Sequence, residues 1–396
     1  MDFLIPTDKF HKIVFIKQYI RKLKPEDQTI RNLLCYYLSL VNQKYKTIKD
    51  FSFFLAKSYS LNFRVNLSNI GCYSIIEYYL SCVDPKYLND EFYNINFLEN
   101  TFEDITKPLI KKNKFDKKIF NKAKNFYLTN LLYEKENEDQ NAYNGLINAY
   151  FLNTDRCFIS SGDIDSLNKI TLDDLYNYYL SILEDEQISY VTGDVFKLEA
   201  KNNSTLKIKN DYFFTKRTNS LEYIFDKANT KQAQLFIIYD HQTYSNDKLF
   251  YALCLLNRHF GGENDSKLFK RIREELSLCY AISTTNMGST GIILLKALIN
   301  KKDEEKVLKE IDYIYNHLLD DFDLDKMKNY YKFYYKDKLD YINTLYREFL
   351  YENYFINTPT IKKEIEMIDS ITLDDINKAY KKMKKTLIYV YGGDDE

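Results

Sequence analysis

The sequence predicts an α+β protein built from two similar domains, each a mostly antiparallel sheet covered by helices. The first reason is a near repeat, because residues 170–175 read ITLDDL and residues 371–376 read ITLDDI, about half of the 396-residue chain apart. Each copy is followed by a strand-like run that ends in glycine and aspartate, at residues 189–194 and 388–394. A repeat of this length indicates duplication of a whole domain rather than a solenoid.

The elements of the first half form the second reason. Lys12 to Ile20 has the apolar, β-branched character of a strand, and two helical patterns follow at residues 29–40 and 48–59. Leu61 to Leu67 and Tyr73 to Leu80 then read as a strand pair. Long amphipathic helices lead to Thr171, whose hydroxyl can cap the helix that begins Leu-Asp-Asp.

The second half repeats this order, which is the third reason. Gln232 to Tyr239 predicts a strand, residues 247–260 and 267–276 predict helices, and residues 280–285 and 292–299 predict paired strands. Strand, helix pair, hairpin, helices and a last strand are typical of an α+β layer. We therefore predict a first domain over residues 1–197, a polar linker over 198–222 and a second domain over 223–396.

Composition excludes several function classes. The net charge is −1 with 29% charged residues, so the chain has no field that would hold nucleic acid or a membrane surface. Its six cysteines form no C-x-x-C pair, which argues against zinc ribbons and disulfide frameworks. The start, MDFLIP, lacks the base of a signal peptide, and no later stretch has 18 uncharged apolar residues. We expect a cytoplasmic protein.

The segment from Phe260 to Tyr280 is the candidate for chemistry. Gly261 and Gly262 are expected to end a helix, since the chain has only 10 glycines and a C-cap is their usual role. Helical spacing then places four apolar residues on one buried stripe, with Arg273 at its border. From spacing alone, Arg273 is either a snorkelling arginine or a functional one, and Tyr280 is either a half-buried strand tyrosine or a site residue.

This segment resembles the signature of the insulinase (pitrilysin-type) zinc peptidase family, which includes the mitochondrial processing peptidase subunits. The shared features are a double glycine, a small residue, Leu-Phe, an Ile-Arg-Glu triplet and Leu-x-Tyr, here within residues 260–282. Residues 169–194 and 369–393 resemble the domain endings of bacterial two-domain members. The form ELSLCY at 275–280 is similar to a branch found as the non-catalytic partner of a zinc-bearing sister.

The resemblance implies roles for two residues. In the family, the arginine and tyrosine of this motif reach from the domain without metal toward the peptide on the partner's zinc. Those residues are Arg273 and Tyr280 in this sequence. A tyrosine hydroxyl can donate to a developing oxyanion, and an arginine can hold peptide carbonyls.

The metal motif of the family is missing. Family members bind zinc through an H-x-x-E-H helix, in which two histidines are ligands and the glutamate activates water. The order of elements puts that motif near Asn32, Cys35 and Tyr36, none of which replaces its family counterpart. The four histidines do not supply the pattern either: His11, His241, His259 and His317. We expect no metal in this chain.

Two hypotheses follow. In the first, the chain is the non-catalytic subunit of a heterodimeric zinc peptidase, inactive alone, which forms half of the substrate chamber and contacts a peptide or small protein bound at the zinc of its sister subunit. In the second, it is a peptide-binding or assembly scaffold without a role in proteolysis, as core subunits of respiratory complexes are in the same superfamily. Retention of both Arg273 and Tyr280 favours the first.

Overall fold

The computed structural model describes residues 1–154, 156–200, 208–209, 220–353, 355–356 and 358–393. Most of the predicted linker, residues 201–207 and 210–219, lies outside this described part, as does Asp394 at the end of the repeat. The linker and the exact domain boundaries therefore stay predictions.

The first half of the chain contains eight described strands and seven described α-helices. Its strands are β1 (Phe3–Pro6), β2 (Lys12–Lys22), β3 (Asn62–Ile70), β4 (Tyr73–Val83), β5 (Ile110–Lys111), β6 (Lys114–Phe115), β7 (Glu186–Gly193) and β8 (Ile208–Lys209). Its helices are α1 (Gln28–Leu40), α2 (Ile48–Lys57), α3 (Ile95–Ile105), α4 (Lys117–Glu136), α5 (Glu138–Tyr150), α6 (Ile164–Lys169) and α7 (Leu172–Ile182).

The second half contains six described strands and six described α-helices. Its strands are β9 (Glu222–Asp226), β10 (Ala233–Asp240), β11 (Cys279–Met287), β12 (Ile292–Ile299), β13 (Phe355–Ile356) and β14 (Lys384–Tyr391). Its helices are α8 (Lys248–Phe260), α9 (Glu304–Asn316), α10 (Leu324–Lys338), α11 (Ile342–Asn353), α12 (Ile361–Asp369) and α13 (Leu373–Lys382). A seven-residue π-helical segment, Phe269–Glu275, lies between α8 and β11.

The two main sheets have the same strand order, which confirms the predicted α+β class and the duplication. One sheet runs β1-β7-β2-β4-β3, and the other runs β9-β14-β10-β12-β11. All neighbours are antiparallel except β1 with β7 and β9 with β14. These two short parallel strands were not predicted. β9 even begins inside the predicted linker.

The repeated sequence forms the same structure twice. Thr171 and Thr372 are the N-caps of α7 and α13, and each makes a complete capping box with the aspartate three residues on. A capping box satisfies two backbone amides that would otherwise lack partners, so the matched letters have a local physical cause. Each helix then leads into the strand that lies beside the central strand of its sheet.

The described residues divide into two compact units that do not follow the halves of the sequence. The first unit comprises the described residues of Met1–Glu136, Phe158–Asn210 and Tyr341–Tyr354, and the second those of Asn137–Cys157, Asp211–Asp340 and Phe355–Glu396. Helix α5 thus belongs to the second unit and helix α11 to the first. This exchange of helices was not predicted.

Helix α5 covers one face of the second unit's sheet. Ala142, Leu146 and Tyr150 pack against Phe236 and Ile238 of β10, while the alternate residues of β10 face the main helical core. Gly145 in the middle of α5 permits this contact, because a Cβ there would lie 1.9 Å from the Tyr389 hydroxyl oxygen. Glycine inside a helix is otherwise unfavourable, so the close approach explains it.

Helix α11 covers the corresponding face of the first unit's sheet. The rings of Tyr346 on α11 and Tyr190 on β7 lie 5.6 Å apart, and those of Phe349 and Phe3 lie 5.5 Å apart. The opposite face of this sheet packs against α1, α3, α4 and α7 to form the larger core of the unit. None of the described helices is long and apolar enough to cross a bilayer.

Candidate functional site

The double glycine connects helix α8 to the edge of the second unit's sheet. The amides of Gly261 and Gly262 both donate to the carbonyl oxygen of Asn257, at 3.0 and 2.8 Å, which ends the helix as predicted. The Gly261 carbonyl in turn accepts the amide of Thr284 on β11 at 2.8 Å. A Cβ on Gly261 would lie 2.7 Å from the Thr284 Cγ2, so this approach requires glycine.

Arg273 lies in the π-helical segment that follows. Leu268, Phe269 and Ile272 are buried, as the predicted apolar stripe requires, and Leu276 packs at its margin. The guanidinium of Arg273 is exposed and stands 4.7 Å from the centroid of the Phe269 ring. This cation–π contact restrains the guanidinium on one side, while the residue as a whole remains exposed. π-helical segments are rare and frequent at functional sites.

Tyr280 lies at a β-bulge. The register of β11 with β12 shifts between Cys279 and Ala281, so Tyr280 has no partner opposite it in the ladder. A bulge turns a side chain away from its regular direction, and the Tyr280 ring is 52% exposed. Its hydroxyl donates to Oδ1 of Asn300 at 3.3 Å, and Asn300 donates to Asp303. The Tyr280 side chain is thus open to solvent. Its hydroxyl makes only a long hydrogen bond to Asn300, which a substrate oxygen could replace.

A buried polar chain fixes the far end of β11. The Nδ1 of His241 accepts the Thr243 amide at 3.1 Å, so the proton is on Nε2, which donates to Asn286 on β11 at 3.0 Å. Asn286 donates to the thiol sulfur of Cys254 on α8. Burial of the imidazole lowers the pKa of His241 to about 4, so this neutral tautomer persists at pH 7. The chain ties the strand of Tyr280 to the helix that carries the double glycine.

The position of the family metal motif lies on α1 in the first unit. The Asn32 amide nitrogen donates to the carbonyls of Gln28 and Ser160, at 2.9 and 2.8 Å. Cys35 is buried, and this burial raises the pKa of its thiol to about 12. The Tyr36 ring stacks on Tyr127 with centroids 5.1 Å apart.

These contacts do not fit a zinc site. Zinc takes a thiolate, imidazole or carboxylate, whereas Asn32 offers an amide that already has backbone partners and Cys35 stays protonated. Within the described residues, no group of three or more His, Cys, Asp or Glu side chains could hold a metal ion.

A network of hydrogen bonds around two arginine side chains links α1 to its neighbours. Arg31 of α1 is completely buried and donates to the Ser74 carbonyl and the Tyr178 hydroxyl. Arg21 of β2 donates to both carboxylate oxygens of Asp185 and to the same hydroxyl, which itself donates to Asp27. Burial raises the pKa of Asp185 and the Arg21 guanidinium opposes this rise. The network joins β2, α1 and the end of α7.

Arg273 and Tyr280 lie in the helical segment and the strand predicted for them. The local structure that exposes their side chains was not predicted. The bulge at Tyr280, its acceptor Asn300 and the π-helical form of residues 269–275 were not predicted. Arg31 also was not singled out. The signal that could have identified Arg31 is an arginine among the apolar residues of α1, since an arginine is seldom buried without partners.

Comparisons with known proteins agree with this geometry. Residues 169–331 match the family model described as the peptidase M16 inactive domain. The Bacillus subtilis protein named probable inactive metalloprotease YmfF is 23% identical over 412 residues, which cover 98% of this chain and 95% of that protein.

Two solved structures show the fold. A conserved protein from Enterococcus faecalis has a TM-score of 0.85 at 23% identity, with 99% of this chain and 96% of that chain covered. The peptidase M16 inactive domain from Pseudomonas fluorescens has a TM-score of 0.73 at 15% identity, with 99% and 95% covered. Over residues 169–331 the chain is thus similar to the inactive domain of M16 peptidases, and the whole chain shares the fold of these two solved structures.

Proposed function

We propose that this protein is the non-catalytic subunit of a heterodimeric zinc peptidase, in which it forms half of the substrate chamber and contacts the peptide bound at its partner's zinc. The observation that carries the proposal is the presentation of Tyr280, exposed on a β-bulge and bonded through its hydroxyl to Asn300 at 3.3 Å. Tyr313 is as exposed but lies on a helix, so the distinguishing feature of Tyr280 is its place on the bulge, which turns the side chain out of the ladder.

The chemistry of the pair suits a peptide carbonyl. A phenol that exchanges Asn300 for a developing oxyanion would supply a neutral donor, and donors of this kind contribute most when water is excluded. The guanidinium of Arg273 stacks on the Phe269 ring, so part of its rotamer freedom is already lost before it holds a substrate carbonyl. Zinc would come from the partner, since the α1 residues of this chain do not fit the metal.

The experiment mixes the purified protein with a sister from the same genome that has the H-x-x-E-H motif. Peptide hydrolysis should require both proteins. Tyr280→Phe should lower kcat by about 100- to 1000-fold while the complex still assembles, because loss of one oxyanion donor costs about that much. Tyr313→Phe is the matched control, since Tyr313 is an equally exposed tyrosine of the second unit.

Arg273→Ala should raise KM or lower kcat, with Lys270→Ala as its control in the same π-helical segment. Equal hydrolysis by the sister alone would refute the proposal. So would a required complex whose turnover responds to neither Tyr280→Phe nor Arg273→Ala.

That last outcome would support the alternative, a peptide-binding or assembly scaffold. The first unit favours this alternative, because its α1 positions are occupied by structural contacts of Asn32 and Arg31. Strand β3 is the edge of its sheet, and among the described residues no other strand lies along that edge. A peptide could add there as a further strand.

A further inference from the structure

A strongly basic surface of the first unit is formed by one segment, residues 107–124. Eight of its 18 residues are lysine and only Asp116 is acidic, although the whole chain has a net charge of −1. Seven of these lysines are exposed. The segment comprises the hairpin of β5 and β6 and the first two turns of α4. The balanced charge of the whole chain thus conceals a local excess of positive charge.

The lysines of the hairpin occupy positions that lower its stability. Lys111 and Lys114 are direct partners in the ladder, where like charges repel. Between them, Lys112 and Asn113 have φ values of 51° and 56°. A two-residue turn of this kind is normally Asn-Gly or Asp-Gly, because a lysine is strained at positive φ.

The lysines of α4 oppose the helix dipole. Lys117 and Lys118 lie in the first turn, where the partial positive charge of the helix disfavours cations. Lys118 and Lys122 are four residues apart, a spacing at which like charges repel. Asp116 offsets part of this by accepting the Lys118 amide at 2.9 Å. Residues that break local rules in this way, without a compensating contact, are expected at functional sites.

Only part of the charge is neutralised within the unit. Three lysines lie 2.7–3.3 Å from carboxylates, in the pairs Lys111–Asp116, Lys114–Asp173 and Lys107–Asp104. Four others make no hydrogen bond or ion pair through their ammonium groups with any residue that the structure describes: Lys112, Lys117, Lys118 and Lys122. Four positive charges therefore remain for a ligand.

The hairpin that carries Lys112 is fixed to the core. The Phe115 ring is buried and stacks on Tyr37, with centroids 4.1 Å apart. The Tyr37 hydroxyl donates to the Leu109 carbonyl and accepts the Asp116 amide, both at 2.9 Å. The backbone that presents these charges is thus ordered before any ligand binds, which favours affinity.

The residue types of the segment select among anionic partners. Arginines and exposed aromatic rings usually hold nucleic acid, but this segment has no arginine, and its two rings, Phe115 and Phe120, are buried. A membrane surface is typically bound through exposed apolar side chains beside the charges, and none of the apolar residues of this segment is exposed. Carboxylates need only point charges, which lysines supply.

We propose that residues 107–124 form a docking surface for an extended acidic segment of a partner protein. Its glutamate or aspartate side chains bind the four unpaired lysines. This inference does not depend on the proposed role in a zinc peptidase.

Fluorescence anisotropy on the full chain tests the surface with labelled peptides of alternating sequence. A twelve-residue Glu-Ser peptide should bind, and a Gln-Ser peptide of the same length should bind at least tenfold more weakly. Raising the salt concentration from about 50 to about 200 mM should weaken binding of the Glu-Ser peptide severalfold, because exposed charges are screened.

A combined variant locates the binding. It should bind the Glu-Ser peptide at least tenfold more weakly than the native protein, and it carries Lys112→Gln, Lys117→Gln, Lys118→Gln and Lys122→Gln. The matched control changes four exposed lysines of the second unit that have no partner among the described residues: Lys302→Gln, Lys306→Gln, Lys362→Gln and Lys363→Gln. The two variants have the same net charge, so the control should keep its affinity within twofold.

Urea denaturation gives an independent result and shows that the first variant folds. Because the four lysines lower local stability, the first variant should unfold at a higher urea concentration than the native protein.

Four results would overturn the inference. One is no binding of the Glu-Ser peptide at millimolar concentration, and another is an equal loss of affinity in both variants. A third is a lower urea midpoint for the first variant. The fourth is equal or tighter binding of a 12-nucleotide oligothymidylate or of phosphatidylserine vesicles, which would indicate a surface for nucleic acid or membrane.

Discussion

Helices α1 and α8 occupy the same place in two sheets of identical strand order, and their chemistry differs. Helix α1 buries the polar residues Gln28, Thr29 and Arg31 and lies within an ionic network. Helix α8 buries ten residues, eight of them apolar, and ends in the double glycine against β11. The fold tolerates both because the sheet topology fixes only where a site can lie. A few side chains decide what that site can do.

The edge strands β3 and β11 also differ between the two units. The middle of β11 is engaged by the loop after α8, through the Thr284 amide and the Gly261 carbonyl. Within the described residues, β3 has no such cover along its edge. The first unit therefore keeps an open strand and a bonded helix, while the second keeps a closed strand and exposed motif residues.

The strongest test of this difference removes the ionic network of the first unit. Arg21→Met leaves Asp185, whose side chain is only 7% exposed, without its cation. We expect the free energy of unfolding to fall by about 3–4 kcal/mol, because an uncompensated buried charge is costly. Chemical denaturation with urea measures this loss.

Lys309→Met is the control in the second unit, where the Lys309–Glu305 pair is 74% and 83% exposed. Its loss should be too small to resolve in the same titration, since an ion pair this exposed is screened by solvent. A loss under about 1 kcal/mol for Arg21→Met would show that the network is not what stabilises α1.

The polar chain of the second unit predicts a pH dependence. The pKa of His241 is about 4 in the folded state and ordinarily 6.5, so the unfolded chain binds more protons between these values. Stability from this residue is fully present above pH 6.5 and is lost as the pH falls to about 4. The total change is at most about 3 kcal/mol. Unfolding at a series of pH values should show this slope for the native protein, and a flatter slope for His241→Asn. Equal slopes would contradict the assignment.

Gly261→Ala tests the closed edge of β11. The new Cβ would press on Thr284 and Leu268 side chains, so we expect a loss of about 1–3 kcal/mol. Thr284→Ala removes both Thr284 atoms that lie within 3 Å of that Cβ. The double variant should therefore lose less than the sum of the single variants, as a double-mutant cycle in denaturant would measure. Strict additivity would mean that the close approach is not the constraint.

Tyr280→Phe should have the smallest effect on stability, below about 0.5 kcal/mol, because its hydroxyl is exposed. Tyr37→Phe in the first unit is the contrast. Tyr37 is buried, donates to the Leu109 carbonyl and accepts the Asp116 amide, both at 2.9 Å. Its loss should cost about 1–2 kcal/mol. A comparable loss for Tyr280→Phe would indicate a structural rather than a functional tyrosine.

Most of the fold was predictable because its signals are local. The apolar runs at 12–20 and 292–299 appear as β2 and β12. Both Thr-Leu-Asp-Asp segments form capped helices. Periodicity and capping act over a few residues, so a single sequence reveals them.

The exchanged helices and the bulge depend on contacts between distant segments. Gly145 is an isolated glycine in a helical pattern. It is explained by the close approach of the Tyr389 hydroxyl, which comes from a distant part of the chain. The bulge at Tyr280 depends on how β11 matches β12 after the π-helical segment. Such features follow from tertiary packing, which propensity and pattern do not contain.

The exchange of α5 and α11 bears on how the chain is made. A ribosome that has released the first 200 residues has supplied the whole sheet of the first unit but not the helix that covers its second face, which ends at Asn353. Helix α5 emerges early and must wait for β10 and β14 before it can bury Ala142 and Leu146. Neither unit can complete its packing during synthesis until most of the chain exists. Protection of the early segments from aggregation is therefore part of what this topology demands of the cell.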